Sequence, residues 1–332
     1  MSAFIPTTIL VVLGLIIRHF SSLLARFPTL TKATAAKALP TQPTRAFDCP
    51  YDYLLNIYGA HHFKKIIAYL RPNLEQEDPQ LYALALEVLD AVHFGAILVD
   101  DVADESMLRK GQTAAHRIYG SSETINRAYL IILNATMKCQ RERPELVPFI
   151  LDCVTEIHQG QDDSLVWRRD GFVFTTDIES ALQRYRHCAA QKTGALFKLV
   201  GQLITNCYDQ DNLMNEYGWY CQLQNDCKNV FSSDVVSAKG ALAEDLINGE
   251  YSYPIIVGLY SSPPIKAAIE NAFNRKRSNK ADSAAAIYQG VLALQSEEVR
   301  NVCLQELDNV RQRNKQFAEL WGRQETMVLS AA

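Results

Sequence analysis

The stretch that most constrains the fold is residues 81–99, LYALALEVLDAVHFGAILV, which is apolar on nearly every face of a helix. A helix without a polar face has to be buried on all sides, so it belongs in the middle of a bundle. Further stretches with helical periodicity lie at residues 125–137, 149–158, 178–204, 217–230 and 284–316. No alternating-strand pattern accompanies them. The sequence therefore predicts an all-α fold, a single bundle of long helices.

The composition limits the class of protein. The chain has 332 residues, of which 48% are apolar, and a formal net charge of −4. This length can bury a large core, and the slightly acidic balance provides no basic surface for nucleic acid. The eight cysteines form no Cys-x-x-Cys pair. Reduced thiols in a cytosol-facing protein are therefore favoured over a disulfide framework or a zinc site.

The N-terminal segment, residues 1–27, differs from the rest of the chain. Residues 1–17 carry no charged side chain, and as a helix they would rise about 25 Å, slightly less than the hydrocarbon core of a bilayer. Basic residues follow, and no acid precedes Asp48. This pattern predicts a membrane anchor that leaves the body of the protein in the cytosol. An interfacial helix, a targeting peptide or a cytoplasmic location are the alternatives.

Two more regions complete the predicted domain organisation. Residues 28–50 are rich in Thr, Ala and Pro, which is typical of a linker. Residues 51–332 would then form one helical domain that contains every motif described below.

The long apolar stretch ends in three carboxylates, Asp100, Asp101 and Asp104. Residues four apart share a helix face, so Asp100 and Asp104 repel each other unless a cation lies between them. Two hard carboxylates suit Mg²⁺, which completes its shell with waters and phosphate oxygens. A bare D-D-x-x-D is more often a solvated acidic helix end. The cations that follow, Arg109 and Lys110, instead favour a phosphate held between metal and cation.

These motifs resemble those of the trans-prenyl diphosphate synthases, and most closely the geranylgeranyl diphosphate synthases. DDVADESMLRKGQTAAHRIYG (100–120) is similar to their first aspartate-rich motif, and QKTGALF (191–197) to their lysine-threonine diphosphate contact. QLQNDCKNV (222–230) stands in place of their second aspartate-rich motif, and AEDLINGEYSYPII (243–256) follows it as in the family. The resemblance implies the isoprenoid synthase (class I terpenoid synthase) fold, with metal-binding aspartates at a central cavity.

The resemblance also implies roles for individual residues. Family members hold an allylic diphosphate through three Mg²⁺ ions and ionise it to an allylic cation. The catalytic residues implied are Asp100, Asp101, Asp104 and Asp226. The metal ligands implied are Asp100, Asp104, Asp226 and Asn229. The contacts implied for the allylic diphosphate are Arg109, Lys192, Thr193, Gln222 and Lys239. Such a C–O bond breaks only if the charge on the leaving diphosphate is neutralised, which metals and cationic side chains do.

The residues that grip the second substrate of the relatives, isopentenyl diphosphate, are altered. GAHHFKK (59–65) stands where the family has G-x-K-x-x-R or G-G-K-R-x-R-P. Lys110 replaces an arginine, Glu250 replaces a lysine, and Asn225 replaces the first aspartate of the second motif. The acceptor-binding residues predicted are His61, Lys64, His93 and Lys110. Lysine and histidine lack the planar fork of arginine, so this pocket would suit a smaller anion such as a monophosphate.

The sequence is compatible with several functions. The first is a Mg²⁺-dependent prenyltransferase of secondary metabolism that gives a geranylgeranyl chain to an acceptor other than isopentenyl diphosphate. The pattern resembles the fungal indole-diterpene prenyltransferases, which implies transfer to C3 of indole-3-glycerol phosphate, loss of its side chain, and 3-geranylgeranylindole as product. The second is a geranylgeranyl diphosphate synthase. The third is a non-catalytic partner subunit, against which the intact Asp100, Lys192 and Lys239 argue. A class I cyclase is a further alternative, and a homodimer is expected.

The residues before the aspartates bear on the length of the prenyl chain. Gly95 and Ala96 are small, so a tunnel beneath the metals would be open enough for a geranylgeranyl chain. Phe94 either faces away from that tunnel or shortens it.

Overall fold

The computed structural model describes residues 47–232, 234–235, 241–277 and 283–322. The predicted anchor, and all but the last four residues of the predicted linker, lie outside these ranges. The described chain is almost wholly helical. The strands within it are β1 (Leu108–Arg109) and β2 (Gln112–Thr113), which pair as one short antiparallel hairpin. The all-α prediction is confirmed.

The first half of the chain forms helices α1 (Pro50–Tyr58), α2 (Lys64–Leu70), α3 (Leu74–Glu77), α4 (Pro79–Ala103), α5 (Ala115–Tyr119), α6 (Ser121–Glu142) and α7 (Val147–Asp170). Helix α8 (Ile178–Ala189) runs through a π-turn (Ala190–Gly194) into α9 (Ala195–Thr205). The rest forms α10 (Asp211–Phe231), α11 (Glu244–Asn248), α12 (Tyr253–Leu259), α13 (Pro263–Arg277), α14 (Ser283–Leu294), α15 (Glu297–Arg313) and α16 (Lys315–Gly322).

Helix α4 is the central element of the bundle. Asp78 caps its start by accepting a hydrogen bond from the Leu81 N–H at 2.9 Å, and a proline in the first turn costs no hydrogen bond there. By length and composition α4 could cross a bilayer, yet 61% of its most apolar window is buried inside the protein, as in a core helix. Gly95 allows α6 to come close, because a Cβ there would lie 2.8 Å from Ile132 Cδ1.

Two of the predicted helices are interrupted. The stretch 178–204 contains the π-turn, and a Cβ on Gly218 of α10 would lie only 2.7 Å from the Cα of Gly194 in that turn. The stretch 284–316 breaks before Ser296, whose hydroxyl accepts from the Val299 N–H at 3.5 Å and caps α15. The π-turn thus lies where two backbones meet, and the second break starts a newly capped helix.

Candidate active site

A cavity of about 310 Å³ opens at the carboxyl end of α4, bordered also by α7, the π-turn and α10. It brings together predicted residues from distant parts of the chain: Asp100, Asp104, Arg109, Lys192, Thr193, Gln222, Asp226 and His93. Other predicted residues do not line it: Asp101, Asn229, His61, Lys64 and Lys110. Lys239 lies outside the described residues.

The first aspartate-rich motif divides its side chains between the cavity and the core. Successive residues of a helix project about 100° apart, so Asp101 cannot share the face of Asp100 and Asp104. Asp101 is fully buried, and its Oδ1 accepts a hydrogen bond from Arg109 Nε at 2.8 Å. Arg109 Nη2 in turn lies 3.7 Å from Asp100 Oδ2. Asp101 therefore acts through Arg109, which it holds at the cavity.

The β1–β2 hairpin returns Arg109 to the aspartates. Lys110 and Gly111 at its tip have φ of +50° and +77°, as a two-residue hairpin turn requires. The side chain of Lys110 leaves the cavity and places Nζ 4.1 Å from the centre of the Tyr58 ring. This geometry is a cation–π contact. The predicted acceptor contact of Lys110 is thus not made from within the cavity.

The cavity is short of positive charge. Burial, followed by repulsion from Asp100, raises the pKa of Asp104 to about 7, although Arg168 Nη2 contacts its Oδ1 at 2.7 Å. Burial, followed by Asp104, raises the pKa of Glu250 well above its ordinary value. A divalent cation among these carboxylates would favour their ionised forms. The residues present therefore fit a divalent metal.

In the described part of the chain, no group of three His, Cys, Asp or Glu side chains is arranged to hold a metal ion. Asp100 and Asp104 line the cavity as a pair of carboxylates. A pair of this kind can hold Mg²⁺, which takes its remaining ligands from water and substrate phosphates.

The π-turn supplies the cation opposite Asp100. Gly160 of α7 leaves room for Lys192, because a Cβ there would lie 2.9 Å from Lys192 Cγ. Lys192 Nζ lies 3.7 Å from Asp100 Oδ1. Burial lowers the pKa of Lys192, but Asp100 and Asp104 outweigh burial, so the pKa is raised and the ammonium stays charged. Thr193, next in the turn, donates its hydroxyl to Gln222 Oε1 at 2.6 Å.

Asp226 of α10 is enclosed by hydrogen-bond donors. Its carboxylate accepts from the Tyr185 hydroxyl, from Gln222 Nε2 at 2.8 Å and from the Tyr253 N–H at 3.1 Å. Burial, followed by Asp245, raises its pKa to about 7 in spite of these donors. Asp226 lines the cavity but is only 2% exposed. A metal bound there would have to displace part of this shell.

Asn229, predicted as a metal ligand, lies behind the cavity wall. Its side chain is 1% exposed, and its Oδ1 accepts from the Asp245 N–H at 3.4 Å. Its backbone carbonyl accepts from the Ala243 N–H at 2.8 Å. In the structure Asn229 ties the start of α11 to α10.

A second part of the cavity wall consists of rings, here called the ring wall: His62, Phe63, His93, Phe197 and Trp321. His62 and His93 stack with centroids 4.8 Å apart and planes 13° from parallel. Trp321 meets His62 edge-on at 5.5 Å. Burial lowers the pKa of His93 well below its ordinary value, so the imidazole is neutral. Its Nε2 is buried without a hydrogen-bond partner.

The turn between α1 and α2 decides which histidine faces the cavity. His61 has φ of +63° and a side chain that is 53% exposed. Asp90 fixes this turn by accepting from the His61 N–H at 2.7 Å and from the His62 N–H at 3.3 Å. The left-handed residue turns the chain so that His62, not the predicted His61, lines the cavity. Lys64 begins α2 and is exposed.

Sequence reasoning did not single out two of the residues that shape the site. Arg168 caps the end of α4 by donating to the Ala103 carbonyl at 3.0 Å, and it pairs with Asp104. The segment VWR (166–168), which is similar to a segment of the prenyl diphosphate synthases, contains Arg168 and could have indicated it. Trp321 lies in the last described helix and had no motif to mark it.

The structure resolves the direction of Phe94. Its ring is fully buried in a separate cluster with Leu54, Leu98 and Tyr119, so it does not line the cavity. Gly95 lines a second, smaller cavity. Ala96 borders both cavities, so they adjoin at this point of α4.

Comparison with known proteins identifies the family. The polyprenyl synthetase family model matches residues 45–291. Prenyltransferase terC of Tolypocladium album is 44% identical over 285 residues, which cover 85% of this chain and 82% of that protein. Prenyl transferase nodC of Hypoxylon pulicicidum is 44% identical over 85% of this chain and 84% of its own length. Prenyltransferase idtC of Claviceps paspali is 42% identical, with coverages of 84% and 75%.

These relatives are fungal indole-diterpene prenyltransferases, as the sequence motifs indicate. The fold agrees with this assignment. The crystal structure of a polyprenyl synthase from Caulobacter crescentus CB15, complexed with calcium and isoprenyl diphosphate, matches with a TM-score of 0.63 over 82% of each chain at 18% identity. The isoprenoid synthase fold is thereby confirmed. The chain is a prenyltransferase that belongs to the polyprenyl synthetase family.

Proposed function

We propose that the protein ionises geranylgeranyl diphosphate with Mg²⁺ and transfers the chain to C3 of indole-3-glycerol phosphate, giving 3-geranylgeranylindole. One observation carries the choice of acceptor. Of the described lysine and arginine side chains, those that line the cavity are Arg109 and Lys192, and each lies 3.7 Å from Asp100. A second diphosphate would need a cationic clamp of its own. The ring wall contains no lysine or arginine.

Asp100 and Asp104 on α4, with Asp226 on α10, would hold the Mg²⁺ ions, three in number by family resemblance. Bound metal neutralises charge on the leaving diphosphate. Burial, followed by repulsion from neighbouring carboxylates, raises the pKa values of Asp104 and Glu250, and a bound cation would offset that repulsion. The Caulobacter polyprenyl synthase, of the same fold, is complexed with calcium and isoprenyl diphosphate.

The chain's own residues prepare the bond for cleavage. Arg109, Lys192, Thr193 and Gln222 would bind oxygens of the diphosphate, with Lys239 as a further contact proposed from the sequence. Fixed cations stabilise the charge that collects on the leaving oxygens as the C–O bond breaks. The rings beside them would keep water from the allylic cation, which would otherwise be quenched to an alcohol.

The indole ring of the acceptor would capture the allylic cation through C3. The electron pair of C3 forms the new C–C bond, which leaves an iminium between C2 and N1. The hydroxyl on the first side-chain carbon then loses its proton and becomes a carbonyl. The bond between that carbon and C3 breaks, and its electron pair restores the indole. The side chain leaves as a three-carbon aldehyde phosphate. His93 lines the cavity and its Nε2 has no hydrogen-bond partner, so it is a candidate acceptor for that proton.

We extend the proposal to location and assembly. Residues 1–27 would anchor the enzyme with its helical domain facing the cytosol, so deleting residues 1–44 should release it from membranes and leave turnover intact. Helix α6 exposes Leu130, Leu133 and Met137 on one face, which a second copy of the chain would cover. Leu133→Asp should then shift the sedimenting species from dimer to monomer.

The test of the proposed function is a product assay. Purified protein, Mg²⁺ and geranylgeranyl diphosphate are incubated with indole-3-glycerol phosphate or, separately, with isopentenyl diphosphate. We expect 3-geranylgeranylindole from the first mixture. Longer prenyl diphosphates from the second mixture, with no product from the first, would establish the chain-elongating synthase. No product from either would favour a partner subunit.

A further inference from the structure

We propose that Trp321 of α16, with His62, selects a planar aromatic acceptor, so that the C-terminal helix determines which nucleophile captures the prenyl cation. This inference rests on the proposed function. It assigns the selection to residues outside the aspartate-rich motifs. Trp321 also lies beyond residue 291, where the match to the family model ends.

Helix α16 is fastened to two other elements of the site. Phe317, one turn before Trp321, stacks on Tyr217 of α10 with centroids 4.0 Å apart and planes 5° from parallel. The Tyr69 hydroxyl of α2 donates to Gln316 Oε1 at 2.9 Å. Residues four apart share a helix face, so the Phe317 contact also sets the direction of Trp321. The side-chain ring of Trp321 is therefore held at the cavity by a helix that is itself fixed in place.

The rings around Trp321 form an aromatic surface in which ring faces and ring edges have fixed orientations. Trp321 is 8% exposed and meets Phe197 at 5.7 Å as well as His62 at 5.5 Å. The His62 plane is fixed by its stack on His93. Aromatic rings gain most from such surfaces through offset or edge contacts at these distances. A planar acceptor therefore gains more here than a short branched alkenyl chain does.

The Lys110 ammonium lies on the outer side of the ring wall, against Tyr58. Tyr58 packs edge-on against His62 and His93, each at 6.2 Å. The ammonium of Lys110 contacts the Tyr58 ring and does not line the cavity. A diphosphate on the acceptor would face these rings, whereas the family resemblance implies lysine and arginine contacts to the diphosphate of isopentenyl diphosphate. The ring wall thus favours an aromatic acceptor and disfavours isopentenyl diphosphate.

The experiment measures KM for indole-3-glycerol phosphate and for geranylgeranyl diphosphate in the full-length protein. Trp321→Leu should raise the ratio of the acceptor KM to the prenyl diphosphate KM by at least about tenfold, which is within the range for a lost ring stack. Trp321→Phe restores a ring and should recover most of that loss. Trp219→Leu is the matched control, because Trp219 is also buried (4% exposed) but does not line the cavity.

A ratio within twofold of wild type in folded Trp321→Leu would overturn the inference, as would an equal rise in Trp219→Leu. Circular dichroism and Tm report folding. If Trp321→Leu does not fold, His62→Leu carries the same expectation and the same criterion. If wild type makes no prenylated indole, the proposed function and this inference fall together. If wild type makes it and the ratio is unmoved, only the inference falls.

Discussion

Helix α4 contributes to both parts of the cavity, and the two parts are built differently. At its carboxyl end, Asp100 and Asp104 face Lys192 in a site where carboxylates outnumber cationic side chains. Two turns earlier, the neutral His93 stacks on His62 in the ring wall. On the proposed function, one region would recognise its substrate by charge and the other by shape.

On the proposed function, this contrast would allow one scaffold to change its acceptor while keeping its prenyl diphosphate. The charged region depends on residues whose positions are coupled: the π-turn, Gly160, Gly218 and the β1–β2 hairpin all serve Arg109 or Lys192. The ring wall depends on a turn and on the last described helix. A change of acceptor therefore needs few changes in the elements that support ionisation.

The largest expected effect is the loss of ionisation. Asp100→Ala or Asp104→Ala should lower kcat by at least about a hundredfold, because neutralisation of the leaving group supplies several kcal/mol. Asp162→Ala, which removes an exposed carboxylate outside the cavity, should leave kcat within about twofold. Near-normal turnover of either cavity variant with Mg²⁺ present would refute the ionisation mechanism.

The next largest effect concerns charge in the ring wall. His62→Arg would place a guanidinium inside the cavity, where it favours a diphosphate acceptor and disrupts the His93 stack. We expect at least about a tenfold fall in indole prenylation and some elongation with isopentenyl diphosphate. His61→Lys, at the exposed neighbouring position, should change either activity by less than about twofold. Equal effects of the two substitutions would show that the turn does not select His62.

A smaller effect is expected where the π-turn meets α10. Gly218→Ala would force a Cβ against the backbone of Gly194, and overpacking of this kind costs about 1–3 kcal/mol. We expect a lower Tm and about a fivefold higher KM for geranylgeranyl diphosphate, because Lys192 and Thr193 would shift. In Gly201→Ala the new Cβ meets the flexible side chain of Met214 at 3.1 Å and makes an ordinary contact with Gln210 Cβ at 3.6 Å. Its effects should be clearly smaller, and the reverse order would contradict this account.

The smallest expected effect is on the thermal stability of the metal-free protein, which depends on the charge of Asp104 and not on turnover. The folded pKa of Asp104 is about 7, above its unfolded value of 3.8, so the folded state holds an extra proton between these pH values. Stability of the metal-free protein should therefore fall as pH rises through this window. Asp104→Asn removes that cost and should raise Tm at pH 8 by a few degrees, roughly 2–4 °C per kcal/mol, but not at pH 4.

Thermal melts at both pH values check this expectation. A variant less stable than wild type at pH 8 would mean that the Arg168 ion pair outweighs burial and repulsion from Asp100. Adding Mg²⁺ should raise Tm of wild type more than that of the variant, because only wild type keeps both carboxylates of the motif.

The helices could be predicted because apolar periodicity is a local property of the sequence. The interruptions within the stretches 178–204 and 284–316 could not be predicted in this way. The π-turn depends on the approach of Gly194 to Gly218, and no local pattern encodes a contact between two helices. The start of α15 had a local signal, Ser296 followed by two glutamates, which the continuous apolar periodicity obscured.

The candidate site likewise has one part that could be predicted from the sequence and one part that could not. The charged region was predictable because its residues lie in contiguous motifs, and i, i+4 spacing places Asp100 beside Asp104. The choice of His62 over His61 depends on a positive φ that Asp90 stabilises from another helix. The outward path of Lys110 depends on Tyr58. Trp321 reaches the cavity only through the packing of α16, which a sequence motif cannot reveal.

The most direct test of the central claim is a competition between acceptors. Wild-type protein with Mg²⁺ and limiting geranylgeranyl diphosphate is offered equimolar indole-3-glycerol phosphate and isopentenyl diphosphate, and products are quantified by mass spectrometry. A cavity with one charged region and one ring wall predicts 3-geranylgeranylindole in at least about tenfold excess over elongated prenyl diphosphate. Predominant elongation without prenylated indole would contradict it.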